Sequence, residues 1–108
     1  MLFLVGELVG LKIFTKGVVI VGFSKIEDIN GELITLEETT SLEVGEKILE
    51  VNGTKIESIE DLKKIIILSK EDNLKMKVED SRGEIREEEI QPIHDSSNSY
   101  KLGLWVKD

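Results

Sequence analysis

Apolar and polar residues alternate along most of this chain with a period of two. The runs Leu8 to Phe14 and Gly17 to Phe23 flank Thr15-Lys16 and read as a hairpin. Val18 to Val21 is β-branched throughout, which predicts a strand buried on both faces. Ser24 to Glu38 is polar without a clear period and reads as a loop, and Leu36 to Leu42 has room for one short helical turn. Lys47 to Val51 predicts a strand with Ile48 and Val51 in the core. Asn52-Gly53 then signals a tight turn, because a type I′ hairpin needs positive φ at both central residues, and Thr54 to Ile56 returns as a short strand. Leu74, Met76 and Val78 alternate with Lys75, Lys77 and Glu79, the pattern of a half-buried strand that ends in a turn over 81–84. In Ile85 to Ile93, Ile85 and Ile90 have opposite parity, so both reach the core only through a bulge. Pro92 places the end of that strand at a sheet edge. His94 to Ser99 is a polar linker, after which Tyr100, Leu102, Leu104 and Val106 alternate with polar or small residues and Trp105.

One segment has helical spacing. Ser58 to Ser69 opens on a good N-cap, with Asp61 at the capping-box position and Glu60 favouring the positive helix end. At 100° per residue Ile59, Leu62, Ile65 and Ile66 form one stripe, while Ile67 and Leu68 fall outside it. The apolar face is wider than one core contact requires.

Composition narrows what such a fold can do. The chain has 108 residues, one domain's worth, with 40% apolar and 33% charged residues. A net charge of -8 argues against a nucleic-acid backbone or an anionic membrane as partner. No Cys is present, which excludes disulfides, thiolate nucleophiles and Cys-based metal sites. The longest apolar stretch, Val18 to Phe23, is too short to span a bilayer, and Met1 to Val5 lacks the charge pattern of a signal peptide. The single His94 sits in the polar linker, so neither a catalytic triad nor a tetrahedral zinc site is expected. Glu87-Glu88-Glu89 alternates faces on a strand and reads as a solvated surface, and Gly6-x-x-x-Gly10 matches no phosphate-binding loop. The sequence therefore predicts no catalytic residues, no metal and no cofactor.

The order of motifs resembles a known family. Leu42-Glu-Val-Gly45-Glu46-Lys-Ile48-Leu-Glu-Val51-Asn52-Gly53-Thr-Lys-Ile56, followed by the Ser58 helix and the Leu74 to Val78 strand, is similar to the central signature of bacterial PDZ domains. With Val9 to Ser24 and the Tyr100-Lys-Leu-Gly-Leu-Trp105-Val-Lys-Asp108 stretch, it resembles the PDZ part of the stage IV sporulation protein B serine peptidases. That resemblance implies an α+β, mainly β fold: a PDZ-like, partly open barrel or sandwich of five to six strands in the permuted bacterial order, with one long groove helix and one short helical turn. It divides the chain into a PDZ domain over 6–93, a linker over 94–99 and the first strand of a truncated peptidase domain over 100–108. It also implies a secreted parent in the space between forespore and mother-cell membranes, cleaving itself and a membrane-bound regulatory complex on the way to sigma-factor maturation. Two departures bear on the 38–46 loop: Thr40-Ser41 stands where the family has Ala-Gly, and Gly45-Glu46 where it has Gly-Asp.

A PDZ domain binds a peptide or protein C-terminus as an added strand between a sheet edge and a helix. The resemblance puts the carboxylate-binding loop at Leu8, Val9, Gly10 and Leu11, and the pairing edge at Leu11, Lys12 and Ile13. By position, Ile59, Lys63 and Ile66 face the groove, which accounts for the wide apolar face of the helix. The Lys63 stem can pack along the groove while its ammonium reaches acidic peptide groups. Lys12, Lys16 and Lys25 outnumber Glu7 in residues 1–26, so that end carries +2 of the total -8 and the remainder -10. The Tyr100 to Lys107 strand predicts pairing with an open edge of this domain or with a second copy. Two other readings stay open: a regulatory PDZ domain of a high-temperature-requirement protease or site-2 metalloprotease, and a structural domain whose groove is closed by its own residues.

Overall fold

The computed structural model describes residues 17–108. Their main sheet is antiparallel and runs β10-β1-β4-β6-β7, where β1 is Val18–Phe23, β4 is Lys47–Val51, β6 is Leu74–Glu79, β7 is Ile85–Ile90 and β10 is Leu104–Lys107. A short strand β5, Thr54–Lys55, returns on β4. Two small ribbons complete the strands: β2, Ile26–Glu27, with β3, Leu33–Ile34; and β8, Ile93–His94, with β9, Tyr100–Lys101. The helices are α1, Leu36–Thr39, and α2, Ile59–Ser69. The molecule is mainly β, as expected, and its sheet is open.

One face of the sheet makes the core. Val18, Ile20, Ile48, Val51, Leu74, Met76, Val78 and Ile90 are fully buried beneath Leu62 of α2, Leu36 of α1, Leu42, Ile56 and Leu102. Ile48 and Val51 have opposite parity, and both face inward because a bulge at Leu49 shifts the register against β6. β7 has no bulge. It pairs regularly from Ile90 opposite Leu74 to Ile85 opposite Glu79, buries Ile90 and leaves Ile85 56% exposed. The parity conflict is thus resolved by exposing one residue, and β7 stops before Pro92 at the sheet edge. Val18 to Val21 is also corrected: Val18 and Ile20 are buried, but Val21 is exposed, so β1 is buried on one face.

Local signals set the connections. Asn52 and Gly53 have φ of 52° and 81°, the geometry that the Asn-Gly turn requires. Ser58 caps α2 by accepting from the Asp61 N–H, and Asp61 in return accepts from the Glu57 N–H. The 24–38 stretch, expected as a loop, contains the β2–β3 ribbon. Ser41 does not have positive φ; that conformation falls on Gly45. Glu46, 6% exposed, accepts from the Glu43 N–H at 3.0 Å and holds the 43–46 turn. Arg86 clamps this loop with bonds of 2.8 and 2.9 Å to the two Glu46 oxygens, and it also reaches Glu88 and the Ser41 carbonyl.

The 94–99 stretch, expected as a linker, is a tight hydrogen-bonded turn between β8 and β9. Beyond it the chain stays in the same fold. Leu102 is 4% exposed in the core, and β10 pairs along β1 from Leu104 opposite Phe23 to Lys107 opposite Val19.

Candidate functional site

Both edges of β1 are taken among the described residues, by β4 on one side and β10 on the other. Among the described residues β10 is therefore the outer strand of the sheet on this side. Its backbone directions follow from the hydrogen bonds. Ser24 N–H donates to the Gly103 carbonyl at 2.8 Å, which makes Leu104 and Phe23 a pair that does not exchange bonds. Ile20, opposite Val106, uses its N–H and C=O on Glu46 and Gly45 of the other side, both at 2.8 Å. The N–H and C=O groups of Leu104 and Val106 therefore point away from β1, toward the side where no strand pairs among the described residues. Their side chains pack on the core, which fixes the register.

α2 lies beside this edge. The Ile59 N–H at its start donates to the Asp108 carboxylate at 3.1 Å. Its later turns meet the chain around Gly103 in an apolar pocket of about 370 Å³, lined by Lys63, Ile66 and Ile67 of α2, by Ser24 and Ile26, and by residues 100–105. Ile67 and Trp105, 70% and 64% exposed, are exposed residues of its lining. The Trp105 indole N–H donates to the Ser24 hydroxyl at 2.6 Å.

Part of the pocket wall is a backbone turn. Gly103 has φ of 67°, and a Cβ there would lie 2.7 Å from the Ser24 carbonyl oxygen, so only glycine fits. The Leu102 and Gly103 N–H groups have no hydrogen-bond acceptor among the described residues. Consecutive N–H groups in such a turn form a concavity suited to an anion.

Of the expected site residues, Lys63 and Ile66 meet in this pocket. Ile59 does not line it; its side chain packs on the core. Leu8, Val9, Gly10, Leu11, Lys12 and Ile13 lie outside the described residues. Within them, Leu102-Gly103-Leu104 and β10 stand beside the helix where the loop and pairing edge were expected. The sequence carried a signal for this: Leu102-Gly103-Leu104 repeats the apolar-Gly-apolar pattern of Val9-Gly10-Leu11.

A second cleft of about 700 Å³ runs between Asp28, Glu71, Glu89 and the β8–β9 ribbon, where His94 stacks on Tyr100 at 4.6 Å. Among the described residues no group of three or more His, Asp or Glu is placed to hold a metal ion, and no helix is long and apolar enough to cross a membrane. No family model and no curated protein matches this chain.

Proposed function

We propose that the chain is a peptide-recognition module of the PDZ kind. An extended segment adds as a strand to the outer edge of β10, and its last side chain enters the apolar pocket beside α2. The observation that carries this reading is the outward-facing backbone of Leu104 and Val106 next to that pocket, which has no partner strand among the described residues, because strand addition needs N–H and C=O groups at a sheet edge. The Leu102 and Gly103 N–H groups receive the terminal carboxylate, and Lys63 adds a positive charge at the pocket. A groove closed by its own residues leaves no such pocket, so the open volume favours peptide binding over a purely structural role.

The resemblance of residues 42–56 and 100–108 extends the proposal to a parent protein: a secreted sporulation serine peptidase, with this non-catalytic module presenting segments of the peptidase itself or of its membrane-bound target. The site itself depends only on the groove.

Calorimetric titration with a peptide ending in Leu-Val tests the reading. The free acid binds one-to-one, and the C-terminal amide binds about tenfold more weakly. Absence of binding by both peptides contradicts it.

A further inference from the structure

The described residues contain the same turn three times. Asp28, Asp80 and Asp95 each accept, through Oδ1, from the N–H groups two and four residues on. Each has its own N–H on the carbonyl four residues on, and each carries positive φ three residues on, at Gly31, Gly83 and Asn98. One side-chain carboxylate therefore suffices to reverse the chain.

The Asp95 copy has more. Asp95 is 4% exposed, and its Oδ1 also accepts from the Ser97 hydroxyl at 2.9 Å. Its Oδ2 takes the Lys101 ammonium at 2.7 Å, and neither Asp28 nor Asp80 has an ion-pair partner among the described residues. A carboxylate withdrawn from water is costly unless its lone pairs are answered, and the turn itself does not require the lysine. Lys101 immediately precedes Leu102 and Gly103, whose N–H groups have no acceptor among the described residues.

We infer that the Asp95–Lys101 ion pair is a positioning device for the pocket. It fixes the chain at Lys101 and so aims the Leu102 and Gly103 N–H groups at an anionic chain end. The inference rests on the peptide-recognition reading above.

Two variants remove the pair from opposite sides. Asp95→Asn keeps an oxygen for the turn and loses the charge, and Lys101→Met keeps the stem and loses the ammonium. Each is titrated with the Leu-Val peptide as free acid and as amide, and its amide spectrum is recorded without peptide. In both variants the free-acid affinity falls about tenfold while the amide affinity changes less than about twofold. The Leu102 and Gly103 N–H resonances move, and those of the β6–β7 ladder stay. Asp80→Asn, the control, leaves the acid-to-amide ratio unchanged. Equal loss for both peptides, or an unchanged ratio with unmoved resonances, overturns the positioning role. If the unmodified protein binds neither peptide, the recognition reading fails instead, and the Leu102 and Gly103 resonances alone decide whether the pair positions the turn.

Discussion

Glu46 and Arg86 stand 40 residues apart in the chain and join the 41–46 loop to the edge strand β7. Burial leaves Glu46 only 6% exposed, so removing its partner strands a charge away from water. Arg86→Met is therefore expected to lower stability by about 2 kcal/mol in urea unfolding, a value kept below the full cost of a broken buried pair because Arg86 is itself part-exposed. The Glu46 hydrogen bond raises the Arg86 pKa above its ordinary value, so the guanidinium keeps its charge. Hydrogen bonds from the Lys101 ammonium and the Ser99 N–H hold the Asp95 carboxyl far below the ordinary aspartate value. Burial works against ionised Glu88, but bonds from Ser41 and Arg86 outweigh it and its pKa is also lowered. Because these folded values are depressed, their contribution is complete above the unfolded carboxyl values near pH 4 and is lost as pH falls below them. The urea midpoint should drop between about pH 5 and 2, and less steeply in Asp95→Asn than in the unmodified protein. Equal slopes would contradict that assignment. At this scale the sequence was only partly legible. The local pattern around Gly45-Glu46 contains no hint of Arg86, whose position depends on how β7 registers with β6.

At the scale of elements, the strands with clean alternation were legible, as were the Asn52-Gly53 turn and the Ser58 cap. Each of these depends on residues only a few positions apart. What failed was the placing of irregularities. The parity of Ile85 and Ile90 asked for a bulge in β7, yet the bulge lies at Leu49 in β4, and β7 stays regular by exposing Ile85. A bulge is a property of a pair of strands, so neither sequence alone locates it. Two substitutions test the element-level account by denaturant unfolding. Ser58→Ala removes the α2 cap and should cost about 1 kcal/mol. Gly103→Ala combines positive φ with a Cβ 2.7 Å from the Ser24 carbonyl, and should cost about 2 kcal/mol or more. Gly103→Ala should also weaken binding of the Leu-Val peptide, because it displaces the turn that forms part of the pocket wall. A variant with unchanged stability and affinity would show that the turn is not held as described.

For the whole molecule, the decisive feature is that Tyr100 to Lys107 belongs to the same core as Val18 to Ile90. Its alternation was plain in the sequence, but its partner was not, since β10 joins β1 across some 80 residues. The resemblance suggested a strand of another domain, whereas its Leu102 is buried here and its edge faces α2. Amide hydrogen exchange should accordingly give Trp105 and Lys107, which bond inward to β1, protection comparable to the β4–β6 ladder, with Leu104 and Val106 exchanging fast. The same two amides bear on the central claim. In a titration followed by amide spectra, the Leu-Val free-acid peptide should shift Leu104, Val106, Lys63 and Ile66 together and slow the exchange of the Leu104 and Val106 N–H groups as they pair with the added strand. Peptide-induced shifts that leave those two N–H groups unprotected, or that map to another surface, would contradict strand addition at β10.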